Sequence, residues 1–491
     1  MLTWLKRLTG PRALTRLQSV RRLPGWLRGR YDAATTTDNN ARHWRAADGL
    51  SANAANSPDV RRILRNRARY EVANNSYARG IVLTLANDIV GTGPRLQMLT
   101  GDAAANRRIE QAFQQWARSV RLAERLRTIR QACAVDGESF AILTNNENRP
   151  DAIRLDLRVI EADLVTTPDL HLKPDDHVDG IRFDSYGNPT SYCVLREHPG
   201  ELHGRLEPRC DRIPAASMIH LFRADRPGQA RGIPELTPAL PLFAMLRDYS
   251  LATLDAAKAA AYFAGIIYTD APANGESDAV EPMDQIELER NALLTMPGGW
   301  KMSQLHAEHP SGTYSEFKRE ILNEIARCLN MPFNIAAANS AGYNYASGRL
   351  DHQTYFKSIR VEQSHLEAVV LDRILAAWLH EARLIPGLLP TGLRSPADGA
   401  HQWFWDGHEH VDPAKEANAQ ATRLASHTTT LADEYARRGL DWETQLRQRA
   451  KELTLMRDLG LSVAESLPRP EDEEDEPDDG ETREEDVPTE A

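Results

Sequence analysis

The sequence predicts an α+β fold that is mainly α, and three observations carry this. Helical periodicity fills residues 57–136. Between 137 and 222 the period changes to short runs of β formers separated by turn residues. Helix then returns at Thr237 and culminates in the longest helical signal of the chain, 349–384. A chain of 491 residues, 41% apolar and 26% charged, is long enough for several cores. It is not a disordered, collagen-like or wholly coiled-coil chain.

Residues 32–56 are small and polar and read as a linker. Ser57-Pro58 then gives an N-cap followed by proline at the first helical position. A basic helix follows through Arg69, and a second helix spans about Ser76 to Val90, stopped by Gly91-Thr92-Gly93-Pro94. A third, 103–118, puts Ile109, Phe113 and Trp116 on one face, and a fourth runs from about Arg121 to Asp136. The β-forming runs are Ser139–Leu143, Arg154–Glu161, Gly180–Phe183, Thr190–Leu195 and Met218–Phe222. DSYGNPTSYCV reads as a hairpin turning at Gly187-Asn188.

Thr237 is placed as a cap, Pro238 at the first helical position and Gly265 just past the helix end. A strand at Ile266–Thr269, a short acidic helix at about 282–294 and a hairpin around Gly298-Gly299 follow. Thr313-Tyr-Ser-Glu316 is a capping box opening a helix with Phe317, Ile321, Ile325 and Leu329 on one stripe. Asn334–Gly348 reads as a loop of small residues. In the long helix beyond it, Phe356, Ile359, Leu366, Val370, Ile374 and Trp378 recur every three or four positions. Two or three more helices fill 413–459, punctuated by Asp412-Pro413, Gly439 and Gly460.

Charge is unevenly distributed. Residues 1–45 carry a net +8, whereas 465–491 carry fourteen Asp/Glu against two Arg, a net −12. That tail has too little apolar surface to fold alone and reads as solubilising or partner-binding. The basic head, with Trp4, Leu5, Leu8, Leu14 and Leu17, reads as a packing arm or a nucleic-acid contact. The longest apolar run, Ala259–Tyr268, is far short of a membrane span. The N-terminus shows no secretory signal. Four scattered cysteines, Cys133, Cys193, Cys210 and Cys328, do not make a disulfide scaffold or a zinc cluster, and a reducing, cytosolic origin is expected.

The search for chemistry assigns no catalytic residue, cofactor or metal. Gly91-Thr92-Gly93 follows a helix rather than a strand and reads as a helix stop, not a nucleotide loop. His401, Asp406, His408, Glu409 and His410 lack any zinc spacing, and Trp403-Phe404-Trp405 point to a packed strand. Asp136 and Glu138 lie beside Ser139 without a nucleophile elbow, and read as a turn after a helix. Cys133 has no nearby histidine to activate it.

The order of segments resembles the lambda-type family of tailed-bacteriophage portal proteins, from about Arg62 to Leu461. RNRARYEVANNSYARGIVLTLANDIVGTGPRLQ is similar to the family's N-terminal helical block. DGESF, VIEADLVTTP and GIRFDSYGNPTSYCV resemble its β-rich middle, and IPAASMIHLFRADRPGQARGIPELTPAL its approach to the stem. MPFNIAAANSAGYNYASGRLDHQTYFKSIR resembles the loop before its long helix, and VDPAKEANA its C-terminal helix entry. The resemblance implies a portal-like subunit with wing, stem helices, small α/β clip, long central helix and helical crown. On that map 1–56 is a basic arm and linker, 57–233 wing, 234–264 first stem helix and 265–311 clip. Residues 312–333 are the second stem helix, 334–348 the tunnel loop, 349–411 the long helix and wing return, 412–461 crown, and 462–491 an acidic disordered tail.

The resemblance further implies a dodecameric homo-oligomeric ring at one capsid vertex of the virion, made in the bacterial host cytoplasm. Double-stranded DNA would pass through it without sequence specificity, packaged by terminase and later ejected. Terminase large subunit, capsid and head-completion proteins are the expected partners, with no membrane. The tunnel-loop candidates are Asn339, Tyr343, Asn344, Tyr345, Ser347 and Arg349, with no lysine or arginine before Arg349 in the loop. In the acidic 270–290 stretch, net −6, Asp284, Glu287 and Glu289 are candidates for terminase docking. Basic 61–69 against an acidic neighbour surface is a candidate ring contact. The rivals are another phage head–tail adaptor, or a cytosolic metal-dependent hydrolase using Asp136/Glu138 or the His401–His410 groups.

Overall fold

In a computed structural model, the chain is described for residues 37–38, 40–168, 177–201, 209–262, 266–269, 300–303, 314–390, 393, 401–407 and 413–461. It divides into two units at Ala55/Asn56. The described part of the first is turns followed by a short helix, α1 (Ala52–Ala55).

The second unit opens with helices whose ends the sequence dictates. Helix α2 (Pro58–Asn74) starts where the Ser57 hydroxyl accepts from the Val60 amide and proline occupies the first turn. Asn75 ends it and caps α3 (Ser76–Val90) by accepting from the amides of Tyr77 and Ala78. After strand β1 (Arg95–Met98), Asp102 caps α4 (Ala103–Ser119) in the same way, and α5 (Leu122–Asp136) stops at Gly137, whose φ is +88°.

Three antiparallel strands follow from the β-rich stretch: β2 (Glu138–Asn145) lies between β3 (Leu155–Ile160) and β8 (Met218–Phe222). A separate meander orders β4 (His177–Val178), β5 (Ile181–Phe183), β6 (Pro189–Leu195) and β7 (Cys210–Pro214). The β5–β6 turn falls at Gly187, as the sequence reading placed it. Because strand side chains alternate, Ala141 of β2 enters the main core while Phe140 and Ile142 enter a smaller one with Ile160, Tyr192, Val194 and Met218.

Helix α6 (Leu240–Tyr262) follows a 3₁₀ turn at Thr237–Ala239. Thr237 is not its cap: the Thr237 hydroxyl donates back to the Pro234 carbonyl at 2.6 Å. Strands β9 (Ile266–Thr269) and β10 (Trp300–Ser303) pair antiparallel. Helix α7 (Tyr314–Arg327) leads through short α8 (Phe333–Ala336) to α9 (Tyr345–Leu366), a π-helical turn (Glu367–Leu371) and α10 (Asp372–Ala382). Strand β11 (His401–Phe404) pairs with β1, more than 300 positions away in sequence. Helices α11 (Pro413–Ala425), α12 (Leu431–Ala436) and α13 (Trp442–Asp458) complete the described chain.

The main core gathers α3, α4, α5, the start of α6, α7, α8 and the α9–α10 helix. Phe113 centres an aromatic group, its ring 5.3 Å from Trp116, 5.5 Å from Trp378 and 5.6 Å from Trp403. Each such buried ring contributes about 1.5–3 kcal/mol through burial.

Two expectations are corrected here. Arg61, Arg65 and Arg69 do not await a neighbouring subunit. They pair within the chain, Arg61 with Asp179, Arg65 with Glu138, and Arg69 with Asp136 and Asp163. Their spacing of four residues puts all three on one helix face, aimed into the protein. The cysteines are not all isolated: Cys193 and Cys210, on paired β6 and β7, form a disulfide with Cα atoms 5.5 Å apart. Gly265, the acidic helix at 282–294, Gly298-Gly299, Thr313, Asp412, and the bulk of the terminal arm and tail lie outside the described residues.

Candidate functional site

The segment joining α7 to α9 is more ordered than a continuous loop, because α8 occupies Phe333–Ala336 and α9 already begins at Tyr345. Asn330 (φ +53°) ends α7, and Pro332 opens α8. Phe333 is buried beneath the Arg319 guanidinium, 5.3 Å from its ring, and Asn334 is buried with its amide nitrogen 2.9 Å from His352 Nε2. The Asn339 amide donates to the Asn334 carbonyl at 3.0 Å, and Ala338 (φ +49°) before it and Gly342 (φ +81°) after it take left-handed turns.

The sequence-predicted residues divide by role. Asn339 is exposed, its side-chain oxygen accepting from the Ala341 amide at 2.9 Å. Tyr343 is half-buried against the main core. Asn344 is the N-cap of α9, its side chain accepting from the Ser347 amide at 2.8 Å. Tyr345, Ser347 and Gly348 therefore belong to the first turn of α9, which begins four residues earlier than Arg349. Ser347 and Arg349 are exposed. What remains as exposed irregular backbone is Ala338–Gly342 with Asn344. Helix α9 is anchored behind it by the Tyr355 hydroxyl donating to Asp88 at 2.8 Å and the Gln363 amide donating to the Ile89 carbonyl at 3.0 Å. Asp284, Glu287 and Glu289 lie outside the described residues, as do His408, Glu409 and His410.

Sequence reasoning did not find a buried ionic network around Glu138. This carboxylate is fully buried and accepts from Arg65, Arg231, His220 Nε2 and the Gly232 amide. Arg231 also reaches Asp179, at 3.2 Å. Burial alone would raise the Glu138 pKa, but Arg231, His220 and Arg65 overcome it and hold it well below the carboxylate range. Asp163 and Asp179 are likewise held low by their arginines against burial. Asp136 is the exception, pushed up by burial that outweighs Arg69. Burial keeps His220 below the usual histidine value despite Glu138. The signal was present as arginines at i, i+4 and i+8, with acids distant in sequence.

The arrangement does not suit acid–base chemistry. Glu138 is locked as an anion between guanidiniums, and Asp136 bonds Arg69 at 2.7 Å. Glu161, Asp163 and His198 bring ligand atoms within 4.8 Å of one another, but Asp163 already serves Arg65 and Arg69. A cation there would face guanidinium charge. His401 and Trp403 both bond Asp372, at 3.1 and 2.9 Å, and Asp406 accepts from Thr92. Cys133 is buried, which pushes its thiol up and away from nucleophilic use.

Residues 37–363 match the family model described as phage portal protein, lambda family, and the chain belongs to that family, a structural one. It is 26% identical over 426 residues to a probable portal protein of Halomonas phage phiHAP-1, covering 81% of each chain. It is 22% identical to portal protein B of Escherichia phage lambda, covering 80% of this chain and 84% of that one. Against the portal protein of Escherichia phage N15, it is 23% identical, with 84% and 87% covered. Among solved structures it is similar to a chain in the neck of a native gene transfer agent particle computed with C12 symmetry. There the TM-score is 0.41 and identity 15%, over 76% of this chain and 92% of that one. The function is accordingly that of a capsid portal protein.

Proposed function

We propose that this chain is the subunit of a dodecameric ring at one capsid vertex. Double-stranded DNA passes through its central channel, driven in by the terminase and later ejected. The observation that carries this is the family match across 37–363, joined by portal-named relatives aligned over four-fifths of their length. The chain acts as a structural component of the virion rather than as an enzyme. Among the described residues, no helix is long and apolar enough to cross a membrane.

Within that reading the Ala338–Arg349 segment faces DNA. A conduit must touch a polyanion without holding it, and each lysine or arginine on a phosphate adds salt-dependent affinity. The segment offers exposed Asn339, Ser340, Asn344 and Ser347, together with Tyr343 and Tyr345, before its single basic residue, Arg349. Neutral donors of this kind make single hydrogen bonds to phosphate or sugar. The acidic 270–290 stretch, with Asp284, Glu287 and Glu289, docks a basic face of the terminase large subunit, where complementary charge speeds encounter and permits release. Head-completion and capsid proteins engage the ring in turn, and the host cytoplasm is where the chain is made.

Negative-stain electron microscopy of the purified protein, with native mass spectrometry, tests the reading. Rings with a central hole and a mass of twelve chains are expected. A monomer or dimer at all concentrations would overturn it.

A further inference from the structure

We propose that Cys193 and Cys210 form a redox-modification site: two thiols in a reducing compartment, converted by a small-molecule disulfide such as oxidised glutathione into a cross-strand staple. The staple locks β7 onto the sheet once the protein leaves that compartment. The second half of this statement rests on the virion reading above; the chemistry of the pair does not.

Geometry selects this pair from the four cysteines. Cys193 lies on β6 and Cys210 on β7, with Cα atoms 5.5 Å apart, so they join without backbone movement. Both are partly exposed. Arg212 is the register partner of Cys193, and Arg209 precedes Cys210 in the chain. The other two are poor competitors. Cys133 is buried, and burial pushes the Cys328 thiol up to about 11.

What the staple holds is a weak element. Strand β7 is the edge of the β4-β5-β6-β7 sheet, and none of its five residues is fully buried. Its ties are the ladder to β6, the exposed Arg196–Asp211 pair at 2.7 Å, and partial packing of Ile213 on the smaller core. An edge strand with so little buried apolar surface opens locally at low cost. Closing the chain between residues 193 and 210 removes most of that freedom.

The exchange balances without a further reactant. One thiolate attacks a sulfur of glutathione disulfide, giving a mixed disulfide and one glutathione thiolate. The second cysteine thiolate then attacks the protein-side sulfur and expels the second glutathione. The pair loses two electrons and two protons, and glutathione disulfide becomes two thiols.

The test uses the full-length protein equilibrated in glutathione buffers of stepped redox ratio. Alkylation and peptide mass spectrometry read each cysteine, and amide hydrogen exchange reads β6 and β7. A single Cys193–Cys210 disulfide is expected to titrate reversibly, with Cys133 and Cys328 alkylated only after denaturation. Exchange at 210–214 should accelerate roughly tenfold or more on reduction, with α3 and α5 unchanged. The Cys193→Ser/Cys210→Ser variant should match the reduced protein at β7. Thiols that stay free in oxidised glutathione, or equal exchange at β7 in both redox states, would overturn the proposal. Both readouts are taken on the chain itself, so a failure to form rings would count against the portal reading and leave this result standing.

Discussion

Replacing Glu138 by Gln should destabilise the chain by about 3–5 kcal/mol, although it changes the side chain's shape hardly at all. The carboxylate has no exposed surface, and its two arginine partners are nearly as enclosed, with Arg65 5% and Arg231 1% exposed. Glutamine keeps one acceptor oxygen but removes the charge. Arg65 is then left with the more distant Asp163, at 3.5 Å, and Arg231 with Asp179. Breaking a buried pair from one side is costly because the other charge stays behind, out of water. The measurement is urea unfolding below the ring-forming concentration, read as a lowered midpoint at constant slope. Arg62→Gln, on the exposed side of the same helix, should give no measurable change. The pH dependence follows from the signs. Glu138, Asp163 and Asp179 have folded pKa values below their unfolded ones, so their stabilisation is present above about pH 4 and is lost as pH falls below it. His220, held low by burial, begins the decline earlier, as pH drops through about 6.5. Asp136 has the opposite sign and partly offsets this. Glu138→Gln should therefore flatten the acid limb. A loss under about 1 kcal/mol with an unchanged acid limb would refute the account of a charge-clamped core.

Four further outcomes are expected. Gly137→Ala should cost at least about 2 kcal/mol in the same unfolding measurement, since φ is +88° and a Cβ would lie 2.3 Å from the Ile233 carbonyl carbon. Asn344→Ala should cost about 1 kcal/mol through loss of the α9 cap and raise hydrogen exchange at Ser347 and Gly348. Tyr343→Ala/Tyr345→Ala should leave rings intact but shorten the packaged DNA, with Tyr343→Phe preserving the core contact as control; equal packaging would remove this segment from the mechanism. Charge reversal at Asp284, Glu287 and Glu289 should weaken terminase binding at low salt and lose its effect as salt rises.

The helices were legible because caps and apolar spacing are local. Ser57-Pro58 reads as a helix start, Asn75, Asp102 and Gly137 act in the same local way although the sequence reading does not single them out, and the stripe from Ile359 to Trp378 announces a long helix. Strands were legible where a hairpin joins them, as at Gly187. Strand β1 was not, because its partner β11 is distant in sequence and four residues carry no period of their own. Strand β7 was missed because its sequence, CDRIP, is polar and edge-like. The Asn334–Gly348 stretch read as one loop because Asn344 looks like a loop residue until it is seen capping a helix. The network around Glu138 was hidden for a deeper reason. The row of arginines at 61–69 reads as a contact for a neighbouring subunit, and only the tertiary fold brings Glu138, Asp163 and Asp179 of the same chain to it.

The π-helical turn at Glu367–Leu371 can be understood as a phase correction. From Tyr355 to Ala382 the buried positions advance mostly by four, whereas an α-helix turns once in about 3.6 residues. Across 27 residues a straight α-helix would carry the buried face roughly 180° around its axis. Admitting one extra residue into a turn takes back about 100° of that drift. One uninterrupted helix thus keeps Tyr355 and Ile359 against α3 while presenting Trp378 to Phe113 and Leu379 to the same core. The helix is a rod whose two halves are timed to each other by a single surplus residue. A substitution within 367–371 keeps the timing, even where it disturbs the buried Val370 and Leu371, whereas a one-residue deletion would turn everything beyond it out of register.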